Sequence, residues 1–342
     1  MSPPPLGFAL FGTGRIGRVH ADAIAGSDRA TLACVYDVDV DAAAALAGRH
    51  GAPVADSVEA ALATAGSDAA LIASSTPSHL ELMSAATAAG RPTLCEKPID
   101  LDLATVDRQR DEILAAGVPI QIGFQRRYDP GHAKLFRELR AGAAGKLQQV
   151  VVTSRDPGPP PAEYLAVSGG LFRDMMIHDF DLVRWLTGEE PEELTAYGAA
   201  LLDAGAKALD DVDAAMVTLR MPSGVQCHIN CARQASYGYD QRIEVLGADG
   251  MLMSGNVHQT GVQRFTAAGT TRDPLLHFFL ERYADAYRAE LDDFVDAVQA
   301  GRAPAVGYDD GRQALALADA ADRSRRSGNS VRPAPPAGNG SS

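Results

Sequence analysis

The chain has 342 residues, more than one compact core usually holds, so two domains are expected. It is 46% hydrophobic and 22% charged with a net charge of −13, a globular composition whose charge speaks against nucleic acid and anionic membranes as partners. No apolar run approaches the ~20 residues that span a bilayer, and MSPPPLGFALFG lacks the basic start and long apolar core of an export signal.

The cysteines Cys34, Cys95, Cys227 and Cys231 are scattered, and three lie in strand-like runs. Few cysteines and no export signal fit a reducing cytoplasm. Cys227 and Cys231 lie in VQCHINC, which alternates as a strand does, so both read as buried thiols. No His/Cys/Asp set has metal-ligand spacing, and no metal is expected.

From residue 7 to about 124, the apolar runs GFALFG, TLACVYD, AALIASST, PTLCEK and VPIQIGF alternate with Ala-rich segments. Helices are expected at 16–26, 39–49, 57–65, 79–89 and 102–116. Each parallel strand pair needs a crossover, so this alternation predicts an α/β domain with a parallel, doubly wound sheet.

The first run leads into Gly12-Thr13-Gly14-Arg15-Ile16-Gly17. Directly after a strand and opening a helix, GxGxxG fits a dinucleotide. Gly12 permits the tight turn, Gly14 lets the backbone approach a pyrophosphate at the helix N-terminus, and Gly17 allows close helix–strand packing. Asp37 ends the second strand twenty residues beyond Gly17. A carboxylate there accepts from both adenosine ribose hydroxyls. With Asp39 and Asp41 it repels a 2′-phosphate, so the expected cofactor is NAD rather than NADP. Ser74-Ser75-Thr76-Pro77 closes the third run at the edge of the sheet where ligands collect; its small polar side chains fit a ribose contact or a cap for the helix near His79, and the one does not exclude the other. The fourth run ends in Cys95-Glu96-Lys97-Pro98, which points Lys97 into the same crevice, and a cis Lys97–Pro98 bond is a hypothesis for the structure to test.

After residue 125 the pattern changes. Runs at 148–154, 194–201, 212–220, 225–232 and 240–246 follow one another with turn signals at PSG (222–224) and GADG (247–250), which predicts an α+β domain with an open, mostly antiparallel sheet. In VQCHINCA, Val225, Cys227, Ile229 and Cys231 share one face, and Gln226, His228 and Asn230 the other. That polar face is either solvent surface or a subunit interface. Within this half, GGLFRDMMIHDFDLVRWL (169–186) reads as a single helix. Asp174, His178 and Asp181 then fall within roughly 60° of arc, with Trp185 among them. A solvated stripe does not usually hold a Trp, so the stripe is expected to line a sheltered polar cavity.

A chain that binds NAD needs a base for a hydroxyl proton while the neighbouring carbon gives up hydride. His178 has the suitable side chain, Asp174 four residues earlier can orient it, and Lys97 supplies positive charge to the developing alkoxide.

Taken together, GTGRIG, Asp37, CEKP and GGLFRDMMIHDFDLVRWL resemble the sugar and inositol dehydrogenase family that includes glucose–fructose oxidoreductase and inositol 2-dehydrogenase. The resemblance covers roughly residues 7–325. Within that family GFQRRYDP (123–130), TSRDPGPPP (153–161) and SYGYD (236–240) are most similar to the bacterial myo-inositol 2-dehydrogenases. The resemblance implies a Rossmann NAD-binding domain (1–124), a substrate-binding and oligomerisation domain (125–331), a disordered tail (332–342) and a homotetramer packed through the C-terminal sheets. It implies that Lys97, Asp174 and His178 are catalytic, and that Gly12, Gly14, Arg15, Ile16, Gly17, Asp37, Ser75, Thr76, Pro77, Glu96 and Lys97 bind the cofactor. Arg127, Asp156 and Tyr237 are then expected to join Lys97, Asp174 and His178 around a cyclic polyol or sugar. Tyr239 shares the strand face of Tyr237 and is its alternative, and the Pro-rich run after Asp156 can shift that loop. The implied reaction is oxidation of myo-inositol at C2. Its rivals are another polyol or aldose dehydrogenase (scyllo-inositol, glucose) and a non-catalytic NAD-sensing protein.

Overall fold

The computed structural model describes residues 3–336. The described residues fall into two compact units, one formed by 3–128 with 284–312 and the other by 129–283 with 313–336.

The first unit is built on five short strands, β1 (Leu6–Phe11), β2 (Ala30–Tyr36), β3 (Ala69–Ile72), β4 (Thr93–Glu96) and β5 (Ile120–Gly123). They pair in parallel in the order β2-β1-β3-β4-β5. Strands buried on both faces need continuous apolar runs, and LGFALF, AALI and TLCE are buried throughout. The helices Arg15–Ala25, Val40–His50, Val58–Ala63, His79–Ala88 and Leu103–Ala115 match the five expected.

Helix Ala284–Ala300 completes this unit, which amends the expected continuous division at 124. Its Leu291, Phe294 and Val295 join Phe8, Leu10, Ile24 and Leu94 in one apolar cluster, with the Phe8 and Phe294 rings 5.9 Å apart. Farther on, the Val306 carbonyl accepts from the Ile122 amide at 3.1 Å.

The second unit carries β6 (Leu147–Arg155), β7 (Glu193–Ala199), β8 (Ala214–Arg220), β9 (Gln226–Ala232), β10 (Asp240–Gly247) and β11 (Met251–Ser254), in the order β11-β10-β6-β9-β8-β7. All neighbours are antiparallel except β6 and β9. β9 alternates as expected: Cys227, Ile229 and Cys231 are buried, and Gln226, His228 and Asn230 face outward. Helices Ile177–Thr187 and Tyr308–Ser327 bury Phe180, Leu182, Val183, Leu186, Leu317 and Ala321 against the other face. A separate hairpin pairs β12 (Gln263–Thr266) with β13 (Gly269–Arg272).

The single helix expected over 169–186 is two. A short helix, Gly170–Asp174, precedes Ile177–Thr187, and Met175 and Met176 form the joint. Every residue from Met175 to Val183 is buried, which no one-sided helix achieves. The expected polar stripe is therefore replaced by polar groups buried on several sides, Asp179 and Asp181 included. The Trp185 ring stacks on Phe136 at 4.1 Å against the core.

The tail expected from 332 falls partly outside the described residues, which stop at 336. Val331 pairs with Leu194. Among the described residues, no helix is long and apolar enough to cross a membrane.

Candidate active site

In the first unit the carboxyl ends of β1 to β4 gather the expected cofactor residues. Gly12 has φ +99°, and a Cβ there would lie 2.4 Å from the Ser74 amide nitrogen. One on Gly17 would lie 2.0 Å from the Gly12 carbonyl oxygen, so the loop closes only with glycine at both places. A Cβ on Gly14 would meet nothing within 4 Å. Gly14 caps the helix Arg15–Ala25 with no side-chain hydrogen bond, and the first turn holds no acid. Amide donors open to the surface at a helix N-terminus are what a pyrophosphate requires. Arg15 is exposed beside them, and Ile16 packs against the core cluster.

The Asp37 carboxylate faces this loop. Its Oδ2 accepts from the Thr13 amide at 2.7 Å and the Thr13 hydroxyl at 2.8 Å, and its Oδ1 from the Asp39 amide at 3.0 Å. Burial raises its pKa, but the hydrogen bonds from Asp39 and Thr13 prevail and hold it below the usual carboxylate range. The acidic group expected to read a ribose thus also ties β2 to the Gly-rich turn.

Beyond β3, Thr76–Ser78 forms a single 3₁₀ turn. Neither Ser75 nor Ser78 caps the following helix through its side chain, so the capping alternative is not realised. His79 does link the two loops: its Nδ1 lies 2.8 Å from the Pro98 carbonyl and its Nε2 3.1 Å from that of Ser74. Burial holds this imidazole below its ordinary pKa.

The Lys97–Pro98 peptide is cis. The buried Glu96 carboxylate lies beneath it, its Oε1 2.8 Å from His20 Nε2 and its Oε2 accepting from the Lys97 amide at 3.3 Å. Arg127 belongs to the same unit and is 8% exposed. Its guanidinium donates to Asp310 at 2.9 Å and to the Ala305 carbonyl at 3.3 Å, so at least part of the fork expected to meet a polyol is engaged within the protein.

The second unit holds Asp156, Asp174, His178 and Tyr237. His178, in the first turn of helix Ile177–Thr187, is 6% exposed. Asp174 ends the short helix, its Oδ1 accepting from the Tyr164 hydroxyl at 2.7 Å and its Oδ2 from Arg233 Nη1 at 3.0 Å. Arg233 directly follows β9, and Asp156 directly follows the parallel neighbour β6. The Asp156 amide donates to the Ala232 carbonyl at 3.0 Å, and its carbonyl accepts from Ala235 at 2.7 Å.

Tyr237 donates to Asp240 at 2.6 Å and accepts from Arg155 at 2.6 Å, with half of its surface open. Burial, together with the Asp240 charge, raises the pKa of its phenol. Tyr239 is buried among Phe278 and Tyr283, so Tyr237 is the one of the two that reaches the surface of this unit. Among the described residues, no three His, Cys, Asp or Glu side chains are grouped to hold a metal ion.

Residues 6–124 match the oxidoreductase family with an NAD-binding Rossmann fold (GFO/IDH/MocA), and 132–253 match the GFO/IDH/MocA C-terminal domain. The chain belongs to the GFO/IDH/MocA oxidoreductase family.

As a family member it is an NAD-dependent oxidoreductase. It is 42% identical to an inositol 2-dehydrogenase of Rhizobium meliloti over 93% of this chain and 96% of that protein. A crystal structure of a myo-inositol dehydrogenase from Corynebacterium glutamicum superposes with TM-score 0.93 at 39% identity, covering 97% of this chain and 99% of that one. A scyllo-inositol dehydrogenase from Lactobacillus casei, solved with NAD(H) and scyllo-inositol, gives TM-score 0.88 at 26% identity over 96% and 99% of the two chains.

Sequence reasoning missed Thr13, His20, His79, Tyr164 and Arg233 in this oxidoreductase. Four of them have a partner 10 to 76 positions away that the local sequence does not mark, although His79 also meets the Ser74 carbonyl five positions back. Thr13 had a local signal, because it stands inside the GxGxxG motif.

Proposed function

We propose that this chain oxidises myo-inositol at C2 to the 2-keto ring, scyllo-inosose, with NAD as the hydride acceptor. The observation that carries the reading is the helix N-terminus without a side-chain cap beside the Asp37 carboxylate of the first unit; the buried His178 of the second supports it. The near full-length similarity to an inositol 2-dehydrogenase supports the substrate class, a small cyclic polyol. NAD, when bound, supplies the carbon that takes the hydride. Gly12, Gly14, Arg15, Ile16 and Gly17 bind its pyrophosphate, Asp37 its ribose, and Ser75, Thr76, Pro77, Glu96 and Lys97 its nicotinamide half. His178 takes the proton from the axial hydroxyl as the C–H bond gives up hydride and the carbonyl forms. Lys97 places its positive charge on the developing oxyanion. Asp174 orients the imidazole and stabilises its protonated form. Asp156, Tyr237 and Arg127 hold the remaining hydroxyls.

In this reading the protein works in the cytoplasm as a homotetramer packed through the β6–β11 sheet. The outward Tyr197, Met216, Met251 and Met253 support that packing, since each is at least half exposed. Scyllo-inositol is the second candidate substrate, favoured by the neighbour solved with it. The test follows NADH formation by the purified protein against a panel of inositol isomers and aldoses. Fastest turnover with myo-inositol is expected; no NADH from any polyol would leave the NAD-sensing alternative.

A further inference from the structure

Arg233 is the largest side chain fully sealed inside the protein, at 1% exposed. A buried guanidinium persists only where fixed negative charge compensates it. Two aspartates do so. Nη1 donates to Asp174 Oδ2 at 3.0 Å, and Nη2 lies 3.8 Å from Asp211 Oδ2. Among the described residues the Asp174 contact is the guanidinium's only side-chain hydrogen bond.

The two aspartates hold opposite ends of one short helix. Asp211 Oδ1 accepts from the Leu171 amide at 2.9 Å, at the start of Gly170–Asp174. A Cβ on Gly170, where φ is +84°, would come 2.8 Å from that same Oδ1, so a glycine lets Asp211 sit this close. Asp174 is the helix's last residue, three positions before the helix of His178 begins. The Arg233 backbone is itself fixed, its amide donating to the Asp213 carbonyl at 2.8 Å. Tyr164 closes the arrangement from the surface through Asp174 Oδ1. It is 43% exposed.

We propose that Arg233 is a positioning residue for the oxidation: with Asp211 it clamps the short helix and presents the Asp174 carboxylate, ionised and at a fixed angle, to the reacting group. The inference rests on the functional reading above, in which Asp174 serves the chemistry. Arginine suits the place because its planar fork fixes direction as well as charge, which a lysine ammonium does not.

The test is a single-turnover measurement of NADH formation with myo-inositol, using the full chain and Arg233→Met, Arg233→Lys and Tyr164→Phe. In such a trace the amplitude counts folded, competent sites, and the rate constant reports alignment. Loss of a positioning group is expected to lower the rate constant about a hundredfold in Arg233→Met, with the KM for NAD unchanged. Arg233→Lys recovers part of that loss, and Tyr164→Phe costs roughly three- to tenfold. Reduced amplitude with an unchanged rate constant would make Arg233 merely structural and overturn the proposal. Should neither Arg233 variant fold, Tyr164→Phe decides alone, and an unaltered rate constant there overturns it. Asp174→Asn separates the two readings: if its rate constant is that of the unaltered chain, the role of Asp174 fails, and otherwise only the role of Arg233 is at stake.

Discussion

The Gly-rich turn of the first unit and the broken helix of the second each hold a carboxylate to which the proposed function gives a role, and they do so in opposite ways. At the turn, Gly12, Thr13, Gly14 and Gly17 lie within six residues, and the distant member, Asp37, closes the loop through Thr13. At the broken helix, Asp174 depends on Arg233, which is 59 positions away and sealed in the core. In the first arrangement the carboxylate proposed to read the ribose is half-buried and is held by hydrogen bonds from Thr13 and Asp39, with no buried cation to neutralise among the described residues. In the second, Asp174 neutralises a buried cation, so the function proposed for it and the stability of the fold rest on one carboxylate.

The comparison can be broken most sharply at Asp174. Asp174→Asn leaves the Arg233 guanidinium without its nearest counter-charge, and about 3–5 kcal/mol of stability is expected to go with turnover. Urea unfolding followed alongside NADH formation checks both. Activity lost at full stability would show that the two roles are separate after all.

Asp37→Ala is the matching experiment in the first unit. It is expected to weaken NAD by about tenfold or more, NADP less, and to shift the urea midpoint by under about 1–2 kcal/mol. Titration with both dinucleotides measures it. Equal losses for the two would remove the ribose contact from the account.

The smallest effect sought is in acid. The buried Asp129 carboxyl is pushed up by burial, yet the charges of His132 and Arg282 hold it below its ordinary value. Asp37 is lowered too but is half-buried. A carboxyl depressed in the folded state binds fewer protons than in the unfolded one. Its stabilisation is therefore complete above about pH 4 and is lost as pH falls further. Melting followed from neutral pH downward is expected to show a plateau and then a decline. Asp129→Asn should flatten that decline more than Asp37→Asn; the reverse order would contradict the burial argument.

What the sequence discloses follows the same division. The parallel sheet is readable because short, mostly apolar runs such as AALI alternate with helical segments, and because Gly12 and Gly17 tolerate no Cβ. The second sheet is readable because β9 alternates. Helix Ala284–Ala300 is another matter: its apolar face states that it packs but carries no address, and it joins Phe8 rather than the strands it follows. The Met175–Met176 joint is hidden because a continuous run of helix formers hides the requirement that nine successive residues be buried. Arg233 reads as an ordinary charged residue after a strand; only the fold places it against Asp174 and Asp211. The candidate residues are thus easier to name from the sequence than the groups that hold them.

The most direct test of the proposed chemistry is a kinetic cycle on Lys97 and His178, using Lys97→Met, His178→Asn and the double variant, with NADH formation from myo-inositol as the readout. Each single change is expected to lower kcat by about 10²–10⁴-fold. Groups that serve one transition state are not independent, so the double variant should lose little more than the worse single. Losses that multiply, or a His178→Asn enzyme with normal turnover, would contradict the account.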